Sequence, residues 1–379
     1  MKKILYNTLK VLTVLSTALV FSCSEDPTPS IYELPAGDLP TPVISGINPS
    51  TEALAGVTKI TITGSNFVAN PKYNLVYFNG RPATVLSATS TQLELIPPVV
   101  ISDTVIVKIA LAGGNPNFSN EINYKLKPAV AELYPFDVIT KGEMPYGITV
   151  DASENVYLSM ADMRTGGSGG KGIKKIDASG IISDFAPKGS ESFFSTLNFG
   201  PDNAIYATRK AKGVIQVQAG STPTTFLSTG IQQVIVDIDF DANDNIWAVC
   251  DSNLIYRITL SKQAKAFPYT GKARACKIVG DYLYVASLTN FKERILKFRI
   301  FSQDSLGLAE DVFDFSTVAD TLKITDIAIS QDGDLYVGTD KPVDPIYILH
   351  PNNVVEVLYP GLINSSVFNL YWGNGNFLY

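Results

Sequence analysis

One phrase recurs along the last two thirds of this 379-residue chain: an apolar strand, a tight turn of Asp, Asn and Gly, and a second strand that closes on an aromatic residue. It reads PYGITVDASENVYLS, FSTLNFGPDNAIYAT, IVDIDFDANDNIWAV, ARACKIVGDYLYVAS, ITDIAISQDGDLYVG and VFNLYWGNGNFLY. Aligned on Tyr157, Tyr206, Trp247, Tyr284, Tyr336 and Tyr379, the copies lie 49, 41, 37, 52 and 43 residues apart. The turn residues specify a hairpin in each copy. A repeat of this length is the period at which small antiparallel sheets are arrayed around an axis as the blades of a propeller.

A second, less regular hairpin follows the first five copies, as in GIKKIDASGIISDFA and NLIYRITLSKQAKAF, so each of these units is predicted to be a four-stranded blade. The sixth copy stops at Tyr379 without its second hairpin. Residues 129–140, AVAELYPFDVIT, have a strand-turn-strand pattern and are predicted to close the last blade as strap strands, removing an open sheet edge. The phrase resembles NHL-type repeats of six-bladed propellers over residues 129–379. The resemblance speaks for the fold and little for an activity.

Upstream, residues 41–126 alternate apolar and polar positions in short segments between turn signals, as sandwich strands do, and Asn79-Gly80 is the strongest hairpin signal in the chain. Ile47-Asn48-Pro49, Gly64-Ser65-Asn66-Phe67, Phe78-Asn79-Gly80 and Ser119-Asn120 resemble the IPT/TIG family of immunoglobulin-like domains. That likeness implies a spacer or binding module. The expected fold class is all-β, an immunoglobulin-like β-sandwich followed by a six-bladed β-propeller at residues 127–379. A composition rich in Tyr, Phe, Gly and Pro agrees with strands closed by turns.

Residues 1–22 combine Lys2 and Lys3 with an apolar run too short to span a bilayer, the pattern of an export signal. Val20-Phe21-Ser22-Cys23 resembles a bacterial lipoprotein processing site, which implies lipidation of Cys23 and anchorage in a membrane by its acyl chains, each buried methylene contributing ~0.8 kcal/mol. Residues 23–40 are acidic and then Pro-rich, an extended spacer. Their acidic start resembles the surface-export signal of Bacteroidetes lipoproteins, which implies a protein exposed on the outer membrane. Without Lys2, Lys3 and Lys10 the 30 basic residues fall to 27 against 36 acidic ones, which argues against nucleic acid as a partner.

In a four-stranded blade the links between blades and between hairpins share one face, and the tight turns share the other. The long, variable segments of this chain all fall on the first, the loop face, where a rigid scaffold would carry function. Its aromatic and basic residues are the candidate ligand contacts: Tyr146, Arg164, Phe194, Arg209, Arg274, Phe291 and Arg294. Aromatic rings suit sugar C–H faces and guanidinium groups suit hydroxyls.

Other motifs are weaker. TGGSGGKG, residues 165–172, lacks the first Gly and the final Ser or Thr of a phosphate loop and lies between strands. DIDFDANDN, residues 237–245, lacks the Gly and distant Glu of a calcium loop, so Asp241, Asn243 and Asp244 are read as turn formers. His350 is the single histidine and cannot supply a two-histidine metal site. Cys250 and Cys276 fall in neighbouring blades, either as a disulfide or as two buried thiols. No cofactor, metal or catalysis is expected. Bacteroidetes lipoproteins resembling this pairing accompany glycan-uptake machinery, which implies a non-catalytic surface protein binding a glycan or oligosaccharide. Two alternatives stay open: a scaffold docking a protein such as an outer-membrane transporter with no small ligand, and a propeller lyase or hydrolase using His350 or a loop-face acid.

Overall fold

The computed structural model describes residues 39–379 apart from 114–116, 137–141, 163, 165–168, 192, 320 and 376. The leader, Cys23 and most of the spacer lie outside the described residues. No described helix is long and apolar enough to cross a membrane. The chain divides into two compact units, residues 1–129 and 130–379, three residues beyond the 126/127 boundary the sequence suggests.

The first unit is a sandwich of two sheets. One has the strand order Val43–Asn48, Ile60–Ser65, Gln92–Ile96, Thr84–Ala88, and the other Glu52–Leu54, Ile122–Lys127, Ser102–Leu111, Asn74–Phe78, Arg81–Pro82. Alternation along Ser102–Leu111 buries Val105, Val107, Ile109 and Leu111, and the first three share one core with Ile60, Ile62, Leu93 and Leu95 of the facing sheet. The short motifs have local causes. Asn79 and Gly80 both take positive φ, and the turn sets Phe78 opposite Arg81. A Cβ on Gly64 would lie 1.9 Å from the Val43 carbonyl oxygen, so no other residue fits. The Asn120 amide accepts from Ile44 N at 2.8 Å and donates to Ile44 O at 3.0 Å, holding the first strand in place.

The second unit contains five sheets: four are built from four consecutive strands in sequence order, and the remaining one, fourth along the chain, has five, Ser305–Leu306 and Glu310–Asp314 both pairing with Lys292–Ser302. Their first strands are Glu143–Val150, Thr196–Phe199, Ile235–Phe240, Lys272–Val279 and Ile324–Ile329. The six aligned aromatics occupy one register. Tyr157 pairs with Thr149, Tyr206 with Asn198, Trp247 with Asp239, Tyr284 with Lys277 and Tyr336 with Ala328. In the last copy, Tyr371 and Tyr379 exchange backbone hydrogen bonds of 2.9 and 2.8 Å.

Each aromatic is a wedge between blades. Tyr157 packs edge-on against Phe185 of its own outer strand and Phe199 of the next blade, and Tyr206 repeats this with Phe226 and Phe240. Their polar tips return to the turn acid. Asp151 accepts from the Tyr157 hydroxyl at 3.0 Å, and Asp241 accepts from Trp247 Nε1 at 2.8 Å as well as from the backbone N–H groups of Asn243 and Asn245. The turn-former reading of Asp241 and Asn243 therefore holds, with an anchoring role added to it.

Six units close the ring. The C-terminal hairpin, bridged at Trp372 and Leu378, stacks Trp372 on Tyr336 of blade five and takes a 2.7 Å hydrogen bond from Leu370 N to Asp326. Toward blade one, Glu154 accepts from Gly375 N at 2.9 Å and from the Tyr379 hydroxyl at 2.8 Å. The strap differs from expectation. Residues 129–136 form no strand and 137–140 lie outside the described residues. Pro135 has no N–H to give a ladder. Tyr134 and Phe136 instead lay their rings against Val150, Leu158, Tyr371 and Tyr379, so this segment bridges blades one and six by apolar packing.

Candidate functional site

The innermost strands carry a repeated irregularity at their loop-face ends. Blades three, four and five each insert one extra residue at the same point, Val236, Arg274 and Thr325, and blade one does so at Tyr146 and Gly147. Such a bulge re-aims a side chain and recurs beside binding sites. Counting three residues back from each residue paired to an aligned aromatic gives Tyr146, Ser195, Val236, Arg274, Thr325 and Phe368. By the equivalence of the copies these six positions mark the loop-face ends of the innermost strands, which border the axial mouth of a propeller; Ser195 is buried there on Thr208 and Val236 packs into the core of blades three and four.

The mouth is aromatic on one side and ionic on the other. Tyr146 stacks on Phe193 with centroids 4.1 Å apart and planes 20° apart, and Phe368, half exposed, lies 6.3 Å from Tyr146. Arg274 of blade four donates to Glu293 Oε1 from Nη2 at 2.9 Å and from Nε at 3.3 Å. Glu293 is buried, and its Oε2 has no hydrogen-bond partner among the described residues.

Of the seven residues expected at the site, Tyr146 and Arg274 fall on this ring. Phe194 does not: it is 1% exposed, packed with Tyr157, Ile173, Leu197 and Ile205 in the core between blades one and two. Two adjacent phenylalanines in an irregular link point opposite ways, and Phe193 is the one that reaches Tyr146. The remaining arginines are on the loop face but are held by acids. Arg209 pairs with Glu191. Arg164 grips Asp162 at 2.6 Å, and this hydrogen bond holds the Asp162 carboxyl at about 2, helped by Lys171. Arg294 bridges Asp311 at 2.7 Å and Asp314 at 3.1 Å. Phe291 is 99% exposed at a two-residue turn where it and Asn290 both have positive φ.

Below the mouth lies a charged cluster that the sequence reading did not find. Burial drives the Asp326 carboxyl up to about 7, with Asp237 adding to it, and drives Asp237 up to about 6. Burial disfavours the Lys277 ammonium, but Asp239, Asp237 and Asp326 outweigh that and keep it protonated. The acids also clamp blades together. Asp237 accepts from Cys276 N and Asp239 from Ile278 N, each at 2.7 Å, tying blade three to blade four, and Asp326 ties blade five to hairpin six through Leu370 N. The signal was present in the repeat, because Lys277 occupies the position held by Thr149, Asn198, Asp239, Ala328 and Tyr371 in the other copies.

The remaining motifs resolve locally. Cys250 and Cys276 are free and buried, and burial pushes the Cys250 thiol up to about 12. His350 sits at a tight turn on the face opposite the mouth, bonded through Nδ1 to Asp334 at 2.7 Å and through Nε2 to Glu356 at 3.1 Å; these contacts raise its pKa. Gly169–Ile176 is the third strand of blade one, and Gly172 takes positive φ where a Cβ would meet the Ala186 carbonyl at 2.2 Å, so its glycine serves blade packing. Among the described residues no group of three His, Cys, Asp or Glu is placed to hold a metal ion.

These features define an all-β chain with a sandwich and a six-bladed propeller. Residues 42–127 match the IPT/TIG domain, and that part of the chain is an IPT/TIG domain. No curated protein matches the chain. Solved structures similar to it include an auxiliary nutrient binding protein from Bacteroides thetaiotaomicron (14% identity, 89% of this chain and 93% of that one, TM-score 0.49). A structural genomics protein of unknown function from the same organism is also similar (14% identity, 89% and 94%, TM-score 0.48), as is virginiamycin B lyase from Staphylococcus aureus (14% identity, 90% and 91%, TM-score 0.46). At this identity one architecture serves unrelated activities.

Proposed function

We propose that this chain is a non-catalytic surface protein, lipid-anchored to the outer membrane through Cys23, whose propeller binds a glycan at the axial mouth of its loop face as part of polysaccharide uptake. The observation that carries this reading is the Tyr146–Phe193 stack with Phe368 beside it. A ring already stacked and bulged toward the axis is a rigid platform for a sugar C–H face, which costs little ordering on binding. The Arg274 guanidinium, held in place by buried Glu293, adds fixed donors, part of the polar complement a hydroxylated ligand needs.

The test is affinity electrophoresis of the protein against a polysaccharide panel, beside Tyr146→Ala and Phe368→Ala variants shown to be folded by circular dichroism. Retardation by at least one polysaccharide is expected, reduced about tenfold or more in the Tyr146 variant, since stacking contacts contribute roughly 1 kcal/mol beyond their buried area. Retardation by none, with a membrane protein co-purifying, would replace this reading with the docking scaffold, which the exposed ring of Phe291 favours. Turnover of a substrate that disappears in a His350→Gln variant would establish the enzyme instead, although His350 faces away from the mouth.

A further inference from the structure

The propeller's two faces carry opposite charge, and folding chemistry is the reason. Each tight turn needs a carboxylate to receive backbone N–H groups. Asp151 accepts from Ser153 and Asn155, Asp177 from Ser179 and Ile181, and Asp241 from Asn243 and Asn245. Asp202, Asp281 and Asp334 lie at equivalent turns, and among the described tight-turn residues the cationic side chains are those of Lys262 and, when protonated, His350 between Asp334 and Glu356. The turn face is therefore anionic for reasons of its own.

The loop face has no such requirement, and most of its acids lie against cations. Asp162 meets Arg164, Glu191 meets Arg209, Glu293 meets Arg274, and Asp314 meets Lys292 and Arg294. Glu143 meets Lys171, whereas Asp251, Asp340 and Asp344 have no ion pair among the described residues; Asp340 and Asp344 accept the backbone N–H groups of Lys323 and Gly361 but, like the turn acids, keep their charge. In excess are Lys188, Lys210, Lys212, Lys272 and Lys323, all exposed, on the links of blades one to two, two, four, and four to five. None of these ammonium groups has a carboxylate partner among the described residues. A cationic rim on a protein of net negative charge is unfavoured by composition, so its position carries information.

We propose that the loop face receives an acidic glycan, a chain bearing carboxylate or sulfate groups, whose sugar rings lie on the Tyr146 platform while its anions meet the lysine rim. This rests on the glycan reading above and names the class of chain. The lysines act within a Debye length, about 8 Å at physiological ionic strength, so they contribute to capture and to salt dependence more than to the stacked contact itself.

The experiment compares matched polymers with the full chain: dextran against dextran sulfate, and methyl-esterified against de-esterified polygalacturonate. Expected is retardation by the charged member of at least one pair, weakened about tenfold between low salt and roughly 0.5 M NaCl. A variant with Lys188, Lys210, Lys212, Lys272 and Lys323 all changed to Gln should lose about tenfold in affinity with its melting temperature unchanged, and Lys262→Gln on the turn face should change neither. Equal retardation by neutral and charged members, indifferent to the five lysines, overturns the inference and leaves the glycan reading standing. Retardation by no glycan overturns both. Binding of phosphatidylglycerol vesicles through the same lysines, with no acidic glycan bound, overturns it in favour of an anionic lipid surface.

Discussion

The tight-turn face and the loop face of the propeller are built from the same strands, yet they follow different rules. On the turn face the repeated polar groups serve the fold: Asp151 and Asp241 cap their turns and receive the polar tips of Tyr157 and Trp247, and Tyr157 and Tyr206 wedge between blades. On the loop face several groups work against folding. Phe291 exposes a whole ring at positive φ, Glu293 buries an oxygen with no hydrogen-bond partner among the described residues, Tyr146 sits at a bulge, and Phe368 beside it is half exposed. Exposed apolar surface and local strain that the fold does not need are where a ligand or partner can contribute.

The sharpest way to break this contrast is to cut the turn-face wedge. Trp247 is fully buried, packed against Phe267 and hydrogen-bonded to Asp241. Trp247→Ala should destabilise by about 3–5 kcal/mol through the cavity, with the orphaned Asp241 oxygen adding to it. Urea unfolding followed by fluorescence or circular dichroism measures this. A loss below 1 kcal/mol would mean the blades are not held by their aromatics.

The axis between the faces should show itself in pH. Asp326 and Asp237 have folded-state values of about 7 and 6, above the ordinary carboxylate value near 4. The folded protein thus binds more protons than the unfolded chain between those limits. Their contribution is fully present below about pH 4 and is lost as pH rises through 6 to 7. Asp162 and Asp314, held at about 2, act oppositely and matter only in stronger acid. The groups facing Asp326 across the axis are Asp237 and Lys277, with Asp239 and Tyr371 beside them. The melting temperature should therefore fall from pH 5 to pH 8, by an amount corresponding to one to a few kcal/mol. His350, also raised, contributes with the same sign, so a His350→Gln background removes it. In that background Asp326→Asn should flatten the slope, whatever it does to the absolute stability. An unchanged slope would place the titration elsewhere.

The same contrast separates what was legible in the sequence from what was not. Turn-face chemistry is local: Asp241, Asn243 and Trp247 lie within one hairpin, so the recurring phrase suffices to read register, blade number and the turn-forming acids, though not the anchoring of Trp247 by Asp241. Loop-face chemistry joins residues from separate links. Arg209 finds Glu191 across 18 positions and Arg274 finds Glu293 across 19, so these arginines read as available although their acids hold them. Phe193 and Phe194 differ only in which way an irregular backbone turns. The axial charges needed both levels, since Asp237 reaches Cys276 N across 39 residues, while the alignment of copies was enough to mark Lys277 as the odd member of its position.

The smallest expected effect is also the one that reverses sign. Thr289 pairs with Lys292, so Asn290 and Phe291 form a two-residue hairpin turn with φ of 52° and 61°. Asn-Gly is the favoured pair for this turn, because a side chain at left-handed φ crowds its own carbonyl at a cost of roughly 1–2 kcal/mol. Phe291 buries nothing to offset that cost. Phe291→Gly should therefore stabilise the protein by about 1 kcal/mol, reduced somewhat by the freedom glycine adds to the unfolded chain. A wedge residue on the turn face loses stability when cut back; this loop-face ring should gain it. If the melting temperature falls instead, the ring supports the fold in a way its exposure conceals, and the division of labour between the faces fails at its most exposed point. If stability rises while binding to a polysaccharide or a co-purifying partner weakens, the strain is maintained for that contact.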